Sequence, residues 1–293
     1  MNAPRLAIAA LSVASLFAIP ARAQSWRTLT AQRQIAKEDA LHVEVRYGLG
    51  KLTVRAADPA VLYDVSARYD ADIFRFERNY DPAKHQLFVG ADSATAERFT
   101  LRPHFFSDQN KRSTKGGYLT VALARGIPIN LTVNLAMGGS EIDLGGLWLS
   151  HLLVLASMGE ATITFRTANP QPMHEIVIDA SLGGITIKQL GNARAERVRL
   201  NVGLGGADVD VRGAWTGEMT LDGTVTMGGL NLSVPRDAGV KVTAYTKLAG
   251  LDAKGFVKKD GAYYSANYET APRKLAVTGG VTLGGIEVNW VEP

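Results

Sequence analysis

The chain has no cysteine. That excludes disulfides and thiolate metal sites, so packing must hold the fold together. Aromatic residues make up only 8% of 293 positions, too few for the interfacial girdles of an outer-membrane barrel. An excess of either charge is also missing. The formal net charge is +4, which gives no electrostatic footprint for nucleic acid or an anionic surface. Neither a G-x-S-x-G nucleophile turn nor a glycine-rich phosphate loop occurs, so two common routes to catalysis lack their signatures.

Long apolar runs are equally scarce. One exists, the fourteen residues Leu6–Ile19, preceded by Arg5 and followed by Pro20 and Ala21-Arg22-Ala23. A helix that spans a bilayer needs ~20 apolar residues. A shorter run with a basic start and an A-x-A tripeptide is the pattern of a secretory signal peptide, residues 1–23. Losing Arg5 and Arg22 lowers the formal charge from +4 to +2. Cleavage leaves Gln24 at the terminus, where no thiol is present to carry a lipid. No later stretch is apolar enough to cross a membrane. The expected mature chain is exported and has no membrane span after signal cleavage.

Glycine, by contrast, is abundant and patterned. Residues 182–188 read LGGITIK, 204–210 LGGADVD, 227–233 MGGLNLS and 283–289 LGGIEVN. The large residue ahead of the small pair is Met137, Met158, Leu182, Leu204, Met227, Leu248 and Leu283, at spacings of 21, 24, 22, 23, 21 and 35. Repeats of this length mark stacked architectures. Apolar residues alternate before each pair, as in Ile176, Ile178, Ala180 and Leu182, and after it on the other parity, as in Ile185 and Ile187. Period two marks strands with one buried face. A glycine step that flips the parity marks a corner that keeps the same face inward.

Each unit therefore reads as strand, glycine corner, strand and polar connection. One unit cannot cover its own apolar face, whereas stacked units can. The expected fold is all-β: a parallel β-helix, or solenoid, of about seven ~22-residue rungs, with the glycines along one edge. Leu182, Leu204 and Met227 are expected in its core, with Ile185, Ala207 and Leu230 stacked as neighbours. On that assignment Leu204→Asp buries a charge and unfolds the chain, while Asp208→Asn is silent. A β-sandwich accounts less well for the regular parity flip, and a barrel less well for the short polar-faced strands.

Residues 24–126 lack the regular repeat. Gln24–Ala40 reads as a mobile lead-in of weak helical character. Leu41–Ala56 sketches a first rung. Strand-like pieces follow at Val61–Arg68, His85–Val89, Phe99–Arg102 and Tyr118–Ala124, with a polar loop at Asp108–Gly117. Open solenoid ends need caps, so residues 24–126 are expected to form an N-terminal β-rich cap with the first rung, and 127–293 the repeat domain. The long spacing before Leu283 holds an insertion, Phe256–Lys274, with a hairpin turn at Lys-Asp-Gly. Trp290 is expected to close the last rung.

LHVEVRYGLGKLTVRAADPAVLYDVSARYD (Leu41–Asp70) resembles the N-terminal module of the toast-rack and adhesin-like family of exported bacterial β-solenoid domains. The [LM]-G-[GE] rungs from Met137 to Asn289 are similar to that family's repeat region. The resemblance implies a right-handed parallel β-helix in the cell envelope. Related modules act in envelope-stress signalling beside membrane segments. It offers no catalytic motif.

Candidate chemistry is sparse. The histidines are His42, His85, His104, His151 and His174, none with a neighbouring His or acid at metal-binding spacing beyond what chance gives. Glu141, Thr162, Thr186, Asp208, Asn231, Asp252 and Glu287 share one offset after the corner, which predicts a mixed acid, Thr and Asn ladder on one outer face. That reads as a solvated face or, as the weaker alternative, a groove for sugar or a divalent cation. No catalytic, cofactor-binding or metal residue is assigned, and no cofactor. The expectation is a non-enzymatic, adhesin-like binding or scaffold protein of the bacterial envelope. Its partner would be an envelope protein or a polysaccharide. The alternatives are an envelope-stress signalling regulator and a carbohydrate-active β-helix enzyme.

Overall fold

A strand that alternates in period two has one apolar side to cover. In the computed structural model, which describes residues 25–72, 74–93 and 117–292, stacking covers it. The strands are β1 (Trp26–Gln34), β2 (Leu41–Ala56), β3 (Val61–Asp70), β4 (Phe74–Asp81), β5 (Gln86–Ser93), β6 (Tyr118–Leu123), β7 (Pro128–Asp143) and β8 (Trp148–Thr164). They continue with β9 (Met173–Lys188), β10 (Ala195–Asp210), β11 (Gly217–Pro235), β12 (Gly239–Asp252), β13 (Phe256–Lys259), β14 (Ala262–Ser265) and β15 (Arg273–Val291). The described residues are all-β apart from one turn of 3-10 helix at Leu190–Ala193. The expected signal peptide, the expected strand at Phe99–Arg102 and all of the expected Asp108–Gly117 loop except Gly117 lie outside the described residues.

Eight long, bent strands stack in parallel in the spatial order β2-β7-β8-β9-β10-β11-β15-β12. Their register keeps like residues together: Ala207 lies beside Ile185 on one side and Leu230 on the other. The inward rows form one apolar core, including Ile178, Leu200, Leu221 and Val277 before the corner and Ile187, Val209, Leu232 and Val288 after it. Burying rows of Leu, Ile and Val is the main stabilising term, at about 25 cal/mol per Å² of apolar surface.

The last stretch of chain does not sit last in the stack. β15 is inserted between β11 and β12, pairing in parallel with both. β12 thus becomes the terminal strand. It is shorter than β15, and only its start, Lys241 and Val242, is covered by β14. β13 and β14 form a hairpin through Asp260 and Gly261, both at positive φ, the conformation a two-residue turn requires. Trp290 does not close an end. It stacks on Phe256 at 5.1 Å and donates from Nε1 to the Lys254 carbonyl.

At the other end β2 is covered by two short parallel strands, β5 on its first half and β6 on its second. Antiparallel pairs β3–β6, β1–β3 and β4–β5 complete that end. Trp26–Gln34 is a strand, contrary to the expected helical lead-in. It runs along the whole free edge of β3, with the Arg68 guanidinium over the Trp26 ring at 4.7 Å. An open edge is a strong template, and pairing with it overrides weak local preference.

One buried carboxylate ties this end together. Glu38, in the β1–β2 turn, accepts from the Ala36 and Lys37 amides at 2.6 and 3.0 Å and from the Tyr80 hydroxyl at 2.9 Å. Burial alone would raise its pKa, but these donors outweigh that and hold it at about 2, from an ordinary 4.5. A depressed carboxyl adds stability above its unfolded pKa and loses it as pH falls through the folded value. Glu38→Gln is therefore expected to cost about 1–3 kcal/mol at pH 7 and to flatten the acid limb between pH 4.5 and 2, read by urea unfolding across that range.

Candidate functional site

The corner of each strand sets the site. In β10 the buried row is Val198, Leu200 and Val202, and it resumes at Ala207 and Val209. The four residues between them, 203–206, all lie on the outside. The first glycine of the pair is needed twice over. Gly205 has φ +134, and a Cβ there would fall on the Gly183 carbonyl of the neighbouring strand. Gly138, Gly159, Gly183, Gly228 and Gly284 repeat this geometry, each against the first glycine of the neighbouring strand. Only a residue without Cβ fits the corner in these strands; the terminal strand β12 has Ala249 in register with Gly284 instead.

The second glycine is different. Gly139, Gly184, Gly206, Gly229, Gly250 and Gly285 lie outside the left-handed region. A Cβ on any of them would meet nothing closer than 3.5 Å. The fold tolerates a side chain there, and Lys51 and Glu160 fill the equivalent places on β2 and β8.

The large residue ahead of the pair is on the outside too, which corrects the expectation for Leu182, Leu204 and Met227. They are exposed, Leu204 by 45%, as are Met137, Met158, Leu248 and Leu283. The chain rounds the corner over four residues, so the inward row ends two positions earlier than alternation suggests. Register joins these side chains into one ladder: Leu49, Met137, Met158, Leu182, Leu204, Met227, Leu283 and Leu248, one per strand. At ~4.8 Å per step the ridge is roughly 34 Å long. It is bordered by small residues such as Ser157, Ser181, Thr226 and Thr282 on one side and by the glycines on the other.

Past the corner, Thr53, Glu141, Thr162, Thr186, Asp208, Asn231, Glu287 and Asp252 stand in one row. Sequence offset had placed all of these but Thr53. Asn231 donates to Asp208 at 2.7 Å, and the row is half-buried to exposed. Among the described residues no group of three or more His, Cys, Asp or Glu is arranged to hold a metal ion. A separate open cleft of about 790 Å³ lies near the starts of β9, β10 and β11, lined by His174, Glu196, Arg197, Trp215 and Glu218 among others. His174 Nδ1 is 2.9 Å from Glu196 Oε2, with side chains 88% and 64% exposed, a solvated pair of little energetic weight.

Residues 22–188 match the family model described as the N-terminal domain of toast_rack, DUF2154. Among curated proteins none matches the chain. Crystal structures give similar chains at low identity. A protein from Clostridium sporogenes ATCC 15579, provisionally named a cell adhesion protein, is 13% identical with a TM-score of 0.48, covering 91% of this chain and 100% of its own. A provisionally named adhesin from Bacteroides fragilis NCTC 9343 is 9% identical with a TM-score of 0.43, covering 89% and 97%. A provisionally named lipid binding protein from Parabacteroides distasonis ATCC 8503 is 10% identical with a TM-score of 0.30, covering 90% and 97%. Among the described residues no helix is long and apolar enough to cross a membrane.

Proposed function

The chain belongs to the family of the N-terminal domain of toast_rack, and on that premise we propose that it is an exported, non-enzymatic binding or scaffold protein of the bacterial cell envelope, adhesin-like in action and placed in the periplasm or at the surface. The parallel stack is taken as a right-handed β-helix, with β2 as the first rung and about seven rungs in the repeat region after it. Its contact edge is the ridge, and its partner is an envelope protein or polysaccharide. One observation carries this: the residue ahead of each corner is Leu or Met in all eight bent strands, and in seven of them it is exposed. Isolated exposed apolar residues are ordinary, but a contiguous apolar strip with polar rims marks an interaction surface.

The test is capture of envelope proteins and polysaccharides by the immobilised mature chain, wild type against Met158→Lys/Leu204→Lys. Capture is expected to fall at least about tenfold, the loss of a central apolar contact, with circular dichroism unchanged. Undiminished capture by the double variant would remove the ridge from the function.

A catalytic reading has one observation in its favour, the His174–Glu196 pair with Arg197 and Glu218 around one cleft. On that reading the wild type cleaves an envelope polysaccharide and Glu196→Gln does not. No release of reducing ends or unsaturated sugars by the wild type would end it.

A further inference from the structure

Ridge and groove lie side by side, and a surface of that form fits a copy of itself. Five neighbouring strands, β9, β10, β11, β15 and β12, carry the ridge residues Leu182, Leu204, Met227, Leu283 and Leu248, each more than 40% exposed. Beside them run the second glycines, Gly184, Gly206, Gly229, Gly285 and Gly250. The backbone does not require glycine at these places. Glycine that the fold does not need leaves a bare floor, on which another surface can approach closely.

We propose that the occupant of this groove is the ridge of a second copy of the chain. This deepens, and rests on, the reading of the ridge as a contact surface. A two-fold axis parallel to the stack lays each ridge over the other copy's glycine floor. Equivalent strands then meet at the same height and both copies point the same way. An axis across the stack would instead set ridge on ridge and leave both grooves empty. Both surfaces repeat at ~4.8 Å, so five side chains stay in step with five gaps.

Area and charge agree with a self-contact. The five ridge residues expose on the order of 500 Å² of apolar side chain before the groove floor is counted, against ~800 Å² per partner in a standard interface. That suits a reversible dimer in the micromolar range. The row ahead of the ridge is Ser181, Gly203, Thr226 and Thr282, with Lys247 as the single charge, so two copies meet without repulsion. Asp208, Glu287 and Asp252 just past the groove oppose an anionic lipid surface instead.

Sedimentation velocity of the mature chain across a concentration series is expected to show a monomer–dimer equilibrium. Gly206→Gln/Gly229→Gln fills the groove, leaves the ridge intact and should abolish the dimer with the unfolding midpoint unchanged. With no native cysteine, Leu182→Cys reports the axis. A short bifunctional thiol reagent should link Leu182→Cys to itself. Linking only in a mixture of Leu182→Cys and Leu248→Cys would mean the crossed axis and overturn the arrangement. A monomer at every concentration, a dimer indifferent to the two glutamines, or flotation of the monomer with phosphatidylglycerol vesicles would each overturn self-pairing. If self-pairing fails while Met158→Lys/Leu204→Lys still loses envelope capture, the contact-surface reading stands alone. If that variant also keeps capture, both fall.

Discussion

Gly205→Ala is expected to destabilise the chain by roughly 3–5 kcal/mol, the sum of a strained backbone and a forced displacement of the neighbouring strand. The methyl would occupy the place of the Gly183 carbonyl, at a φ of +134 that side chains rarely adopt. Native domains hold only about 5–15 kcal/mol in total, so the loss is a large fraction of all there is. Gly206→Ala, one residue on, should change stability by less than about 1 kcal/mol, and in the favourable direction, since it removes unfolded-state freedom at a compatible position. Urea unfolding of the pair checks both. Equal losses would mean that the two glycines share one structural duty, and the groove would then need no functional explanation.

Leu200→Asp should leave no folded protein at room temperature. Leu200 is fully buried, so the change removes a Leu from the core, about 2–5 kcal/mol, and adds an unpaired charge. Leu204→Asp, four residues later on the same strand, should fold with a stability change within about 1 kcal/mol, because Leu204 faces water. Circular dichroism and thermal melts of the two variants separate core from ridge. A Leu204→Asp chain that failed to fold would return that residue to the core.

Much of the stack was legible in the sequence because a repeat writes its register directly. The spacing of 21 to 24 residues placed Ile185, Ala207 and Leu230 side by side, and the common offset placed Asp208 with Thr186 and Asn231. Parity could not assign Leu204. An inward row that runs from Leu204 to Ala207 advances three positions, and one that runs from Val202 to Ala207 advances five; both steps are odd, so both flip the parity. Alternation alone favoured the first, and the corner takes the second. The order of the last strands was hidden for another reason. Spacing counts residues along the chain, whereas β15 slips between β11 and β12 in space. The single long interval, 35 residues before Leu283, falls where that reordering occurs. β1 was missed because its partner, the free edge of β3, is a tertiary fact.

The proposed contact ridge rests on where one kind of side chain points. A thiol placed by substitution reports this cleanly in a chain without cysteine. Met158→Cys should react with dithiobisnitrobenzoate in native buffer about as fast as the unfolded chain, whereas Val154→Cys, at a fully buried position, should stay unreactive until denaturant is added. A protected thiol at 158, or a reactive one at 154, would place the ridge inside the protein and contradict the account.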